Sequence, residues 1–91
     1  MSNLRAVAKG NVLYSPKNVE DGLIEIGSSN ISIPAVLFCF WNQFHEMCRV
    51  EEAKRSFQQA GLPEKLFDLS MEALVSAGLI SVYDDNGEYT K

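Results

Sequence analysis

The chain has 91 residues, of which 46% are hydrophobic, and its eight Lys and Arg against twelve Asp and Glu give a formal charge of -4. This length and composition predict one folded domain over residues 1–91, with little room for a deep substrate pocket. The negative charge argues against a nucleic-acid ligand, because phosphate binding draws its affinity from clustered positive charge.

The sequence also indicates the compartment. The longest apolar run, residues 35–41, is much shorter than a membrane-spanning helix, and the first residues lack the apolar segment of a signal peptide. Cys39 and Cys48 are too few for a disulfide framework. We therefore expect a cytoplasmic protein that makes no membrane contact.

Short extended segments are predicted in the first third of the chain. Residues 12–14 are flanked by the turn-forming pairs Gly10-Asn11 and Ser15-Pro16. Residues 22–26 and 31–33 alternate apolar and polar side chains on either side of a turn at residues 27–30. This pattern predicts a small antiparallel sheet whose last strand is short and lies at an edge.

Helical periodicity begins at Pro34, a residue type favoured at the first helical position. The first helix is predicted to bury Val36, Phe40 and Phe44 and to extend far enough to carry both His45 and Cys48. A second helix is predicted over residues 50–60, and a third from residues 62–63 to about residue 77. A glycine follows each of them, as is typical at helix ends.

The third helix contains more apolar side chains than one core-facing stripe requires. The core-facing stripe is predicted to contain Leu66, Leu69, Ala73 and Ala77. A second apolar strip then remains, formed by Phe67, Met71, Leu74 and Val75. Surplus apolar surface beside a strand edge is typical of a groove that binds peptides.

Extended sequence returns at residues 79–83 and 88–90, on either side of Asp84-Asp85-Asn86-Gly87. Asn-Gly between such segments predicts a type I′ hairpin turn, in which both central residues have positive φ. A sheet, then helices, then a hairpin predict an α+β fold. In detail, the order is that of a winged helix-turn-helix-like domain with an N-terminal antiparallel sheet, three helices and a C-terminal β-hairpin as the wing.

Residue types that perform catalysis or bind metals do not form a recognisable set. His45 and Cys48 are three positions apart, but a zinc site needs about three or four protein ligands. A Cys–His nucleophile pair would also need an orienting group and an oxyanion site, and no nucleophile elbow or glycine-rich phosphate loop is present. We expect a protein that is not an enzyme, without catalytic residues, bound metal or cofactor.

DNA binding is an alternative function, because winged helices place their third helix in the major groove. Here that helix exposes Glu64, Asp68 and Glu72, with Lys65 as its only base, and the wing tip is acidic. Phosphates would be repelled at both contact points. Peptide binding is therefore favoured.

The sequence resembles the PqqD-like peptide chaperones in three segments: G-L-I-E-I-G-S-S-N-I-S-I-P-A-V-L-F, R-V-E-E-A-K-R-S-F and M-E-A-L-V-S-A-G-L-I. These proteins are also called the precursor-peptide recognition elements of pathways that make ribosomally synthesised, post-translationally modified peptides (RiPPs). The resemblance covers residues 10–83. The aspartate-glycine that usually precedes the second helix in this family is replaced by Glu46-Met47-Cys48-Arg49.

The resemblance implies that the leader segment of a precursor peptide adds as a strand beside the third predicted strand, in a cleft between that strand and the third helix. The implied strand residues are Ser29, Asn30, Ile31, Ser32 and Ile33. The implied helix wall consists of Leu66, Phe67, Ser70, Met71 and Leu74. Lys65 and Arg55 would pair with acidic leader residues.

The domain would then present the bound precursor peptide to a modifying enzyme held as a partner. A second alternative uses the same cleft differently: the chain would be a small adaptor subunit that binds another protein. The residues do not distinguish these two protein-binding functions.

Overall fold

The structure is a computed structural model that describes residues 4–17 and 20–88, with the backbone alone for Glu88. Its strands are β1 Arg5–Ala8, β2 Asn11–Tyr14, β3 Gly22–Ile26, β4 Ser29–Ile33, β5 Cys48–Arg49, β6 Ile80–Asp84 and β7 Gly87–Glu88. Its helices are α1 Ala35–Asn42, α2 Val50–Gln59 and α3 Glu64–Ser76. The described chain is an α+β fold with three helices and two small antiparallel sheets, which confirms the predicted class.

The first sheet has the strand order β2-β3-β4 and contains the three strands predicted from the sequence. β3 pairs with β4 from Gly22 opposite Ile33 to Ile26 opposite Ser29, so that Gly27 and Ser28 form a two-residue turn. Gly27 has φ of +61° and Ser28 does not have a positive φ, which is the pattern of a type II′ turn. β4 lies at an edge of this sheet, as predicted.

The second sheet has the order β5-β1-β6-β7, and two of its strands were not predicted. β1 lies in its interior, with Ala6 opposite both Cys48 and Val82. The sequence Arg-Ala-Val-Ala has little strand propensity of its own, and β5 is only two residues long. Both strands form because distant segments supply their hydrogen-bond partners.

Helix α1 is shorter than predicted. It ends at Asn42, and the chain then turns so that the Phe44 carbonyl accepts a hydrogen bond from the Ala8 N–H (2.7 Å) in β1. Cys48 consequently lies in β5, and the prediction that it shares a helix with His45 is wrong. Val36 is 78% exposed, so its predicted place in the core is also wrong.

The core lies between the two sheets and the helices, and its centre is aromatic. The Phe40 ring stacks on Phe57 (4.9 Å between centroids) and meets the edge of Phe67 (5.2 Å). Trp41 is buried, and its Nε1–H donates to the carbonyls of Leu79 (2.8 Å) and Lys9 (3.2 Å). These two bonds join α1 to the segments that follow α3 and β1.

Helix α3 faces the core with the opposite side to the one predicted. Phe67 and Leu74 are buried, and Met71 and Val75 pack against the core. The side chains predicted to be core-facing lie outside: Leu66, Leu69, Ala73 and Ala77 are all exposed. The reason is that the Phe67 side contacts the aromatic rings of α1 and α2, which fill more volume than a leucine stripe could.

The C-terminal hairpin is present, but its turn differs from the predicted one. Asp84 pairs with Gly87, so Asp85 and Asn86 occupy the central positions, and neither has a positive φ. The Asn86 N–H instead donates to Asp84 Oδ1 (2.8 Å), an Asx arrangement that replaces the type I′ geometry. Tyr89 and Thr90 of the predicted second strand lie outside the described residues.

Candidate functional site

The edge strand β4 presents main-chain hydrogen-bonding groups to one side. Ile26 and Ser29 flank the two-residue turn, where the pair is hydrogen-bonded. Because hydrogen-bonded and non-hydrogen-bonded pairs alternate along an antiparallel ladder, Ile31 and Ile33 direct their N–H and C=O groups toward β3. Asn30 and Ser32 therefore direct theirs outward, where an added strand would pair.

The side chains of β4 alternate between the core and the outer face. Ile33 is buried and Ile31 packs against the core, whereas Ser29, Asn30 and Ser32 are exposed. The Ser32 hydroxyl donates to Asp21 Oδ2 (3.1 Å), at the residue preceding β3. The five strand residues implied by the resemblance thus lie on one edge, where Asn30 and Ser32 supply the outward main-chain groups.

The implied helix wall is divided between the core and the surface. Phe67 and Leu74 are only 1% and 2% exposed, so their side chains belong to the core and do not line an open groove. Met71 and Ser70 are half-buried, and Leu66 is exposed. Lys65 and Arg55, implied to pair with acidic leader residues, are both exposed, on α3 and α2.

An apolar cavity of about 310 Å³ lies between α1, the end of α2 and α3. It is lined by Val36, Cys39, Phe40, Gln43, Phe57, Leu62 and Ser70. Of the predicted site residues only Ser70 borders it. Val36 follows Ile33 by three positions, so their Cα atoms are no farther apart than about 11 Å. The apolar cavity is therefore near the end of β4.

Exposed apolar side chains continue from the apolar cavity along α3. Leu66 precedes Ser70 by one helical turn, and with Leu69 and Ala73 it forms an uncharged sector of the helix. Leu66 is 48% and Leu69 51% exposed. The sequence pattern did not predict that Val36 and Leu69 lie at the surface. Leucine and valine recur at helical spacing on both sides of these helices, so the pattern does not show which side faces the core.

A second cavity, of about 420 Å³, lies on the other side of α2 and is more polar. It is lined by Gln43, Cys48, Glu52, Ala53, Ser56, Phe57 and Ala60. Burial and, to a smaller degree, the nearby Glu52 carboxylate raise the pKa of Cys48. The thiol is held in its protonated form, which is a poor nucleophile and a poor metal ligand. In the described part of the chain, no three His, Cys, Asp or Glu side chains form a group that could hold a metal.

The charged side of α3 forms ion pairs with α2. Lys54 Nζ lies 3.0 Å from Asp68 and 3.5 Å from Glu64, and 5.7 Å from the centre of the Phe67 ring. The hydrogen bond to Asp68 raises the pKa of Lys54 more than the contacts with Glu64 do. Glu64 and Asp68 therefore face α2, and the uncharged sector is left on the α1 side.

Comparisons of the chain with protein-family models, with curated proteins and with solved structures give no match. Among the described residues, none of the helices combines the length and apolar character needed to cross a bilayer.

Proposed function

We propose that this protein is a cytoplasmic, non-catalytic binding protein that recognises the leader segment of a ribosomal precursor peptide by β-strand addition and presents the peptide to a modifying enzyme. The observation that carries the proposal is the edge position of β4, with the main-chain groups of Asn30 and Ser32 directed outward. An extended peptide gains affinity from such groups without any particular side chain.

The apolar cavity supplies what main-chain pairing lacks, namely selectivity. It is lined almost wholly by apolar side chains and lies close to the end of β4, so one apolar residue of the added strand would enter it. Leu66 and Leu69 would cover the neighbouring part of the peptide. The order α1, β5, α2, α3, β6, β7 is compatible with a winged helix-turn-helix-like domain, which is consistent with the proposal.

DNA binding is the less favoured function, since the surfaces that would contact phosphate are acidic or apolar. Glu64 and Asp68 are already paired with Lys54, and the uncharged sector of α3 offers no donors to base edges. The wing tip carries Asp84 and Asp85.

Strand addition is tested by titrating the labelled full chain with a candidate leader peptide and following its amide resonances. The candidate leader is taken from a short precursor gene beside the gene for this protein. Two isomeric peptides are compared, N-methylated at alternate residues in complementary sets. Only one set blocks the N–H groups that face β4. We expect that set to abolish the shifts at residues 29–33 and 36–43, and the other to retain them.

The matched protein variants are Ser32→Pro and Ser32→Ala. Proline removes the outward N–H, whereas alanine removes the hydroxyl bond to Asp21 and keeps the main-chain donor. We expect at least a tenfold loss of peptide affinity for proline and less than a twofold change for alanine, with circular dichroism melts to confirm folding. Equal binding of both N-methylated peptides, or salt-sensitive binding of duplex DNA through α3, would contradict the proposal.

A further inference from the structure

The outer face of the second sheet carries two arginines side by side. In the register of β5, β1 and β6, Arg5 is directly opposite Arg49 on one side and Tyr83 on the other. The next residues in each strand, Ala6, Cys48 and Val82, pack into the core. Because side chains alternate along strands, the side chains of Arg5, Arg49 and Tyr83 lie together on the outer face. We call them the arginine row.

Within the described residues, no ion pair neutralises the arginine row. Both ion pairs among the described side chains are made by Lys54. No carboxylate oxygen of the described residues lies within 4.0 Å of a guanidinium nitrogen of Arg5 or Arg49. Arg5 Nη2 makes one long hydrogen bond, to the Asp84 carbonyl (3.5 Å). Like charges directly opposite each other destabilise a sheet. A chain with excess acidic residues thus places two cations side by side, with Arg49 exposed and Arg5 half-buried.

We propose that the arginine row binds an extended acidic peptide segment of a protein partner, at a surface separate from the β4 edge. Alternate side chains of an extended segment point the same way at about 6.6 Å, whereas neighbouring strands are about 4.8 Å apart. The long, flexible arginine side chains can span this difference. Carboxylates at alternate positions would therefore meet Arg5 and Arg49 together. The planar guanidinium groups bind carboxylates in a bidentate manner, and the Tyr83 hydroxyl adds a donor beside them.

The acidic residues around the arginine row favour a short ligand over a long polyanion. A long polyanion such as duplex DNA would meet the acidic wing tip at Asp84 and Asp85 and the acidic start of α2 at Glu51 and Glu52, which flank the arginine row. A short acidic segment can be confined to the two arginines. The inference stands independently of peptide addition at β4, because it uses a different sheet.

The test is a titration of the full chain at low salt with the acetylated, amidated peptide Glu-Ser-Glu-Ser-Glu, followed by amide shifts. The control peptide replaces each glutamate with glutamine. We expect saturable shifts at residues 5–7, 48–50 and 82–84 with the acidic peptide only. The double variant Arg5→Gln/Arg49→Gln should bind at least tenfold more weakly. The control Lys9→Gln/Lys17→Gln makes the same change of charge at two exposed positions and should bind within twofold of the wild type.

Two further measurements make the result decisive. Arg49→Gln should leave the urea midpoint unchanged or raise it, since it removes a like-charge contact, and a lower midpoint would show a structural role and overturn the inference. Inorganic phosphate or duplex DNA that binds the arginine row more tightly than the acidic peptide would also overturn it, as would the absence of shifts with the peptide. Loss of binding at the arginine row would leave the Ser32 results unaffected, so the two proposals fail separately.

Discussion

At the scale of single residues, Gly22 determines how closely α1 packs on the first sheet. A Cβ atom at this position would lie 2.7 Å from Phe38 Cγ, and it would also overlap the Cδ2 atom of the same ring. The atoms near the base of an aromatic ring cannot swing away as the end of a flexible chain can. The glycine that begins β3 therefore allows Phe38 to cover the core.

Substitution of Gly22 by alanine is expected to destabilise the protein by about 1–3 kcal/mol, the usual cost of overpacking a well-filled core. Urea unfolding of the two proteins measures the difference. Phe38→Leu in the same background should recover part of it, because the smaller side chain makes room for the new methyl group. Purely additive effects of the two substitutions would show that the contact is not the cause.

At the scale of elements, the orientation of α3 decides which apolar residues are available for binding. Its inward side meets Phe40 and Phe57, and its outward side carries Leu66 and Leu69 beside the apolar cavity. The same two leucines would be core residues if the helix were rotated to the predicted face. In the observed orientation these two leucines therefore contribute to a candidate binding surface and not to the core.

The matched pair Leu74→Ala and Leu69→Ala tests this orientation, because the chemical change and the helix are the same. Leu74 is 2% exposed and Leu69 is 51% exposed. We expect a loss of about 2–5 kcal/mol for the buried leucine and about 0.5 kcal/mol or less for the exposed one. Equal losses in urea unfolding would mean that α3 is turned differently.

Element boundaries differ in how far local sequence fixes them. The start of α1 directly after Pro34, the span of α2 and the strands β3 and β4 follow from local patterns, and they lie within one or two residues of the prediction. The end of α1 at Asn42 does not, since the residues that follow it are helix-compatible. The chain leaves the helix there because Phe44 and Cys48 pair with Ala8 and Ala6 of β1.

At the scale of the whole molecule, the second sheet joins strands from the first, middle and last thirds of the chain. β1 lies between β5 and β6, and Ala6 is fully buried between Cys48 and Val82. Folding therefore requires residues that are far apart in the sequence to meet. A domain of this size has a stability margin of only about 5–10 kcal/mol, so a single disruption of this sheet is serious.

Ala6→Asp is expected to abolish cooperative unfolding, because an unpaired carboxylate in the core costs several kcal/mol. Asn11→Asp is the control, since it adds the same charge at an exposed position of β2, the next strand along the chain. Thermal melts followed by circular dichroism should show a sharp transition for Asn11→Asp and none for Ala6→Asp. A cooperative transition in the Ala6 variant would indicate that β1 is dispensable.

The sequence by itself determined the fold class, the predicted strands of the first sheet, the three helices and the edge position of β4, because periodicity and turn chemistry are local properties. The tertiary structure decided the interior strand β1, the end of α1, the inward face of α3 and the pairing of Arg5 with Arg49. Each of these depends on which distant segment supplies a hydrogen bond or fills a volume. The candidate binding surface follows the same division, since the edge could be predicted and the apolar cavity beside it could not.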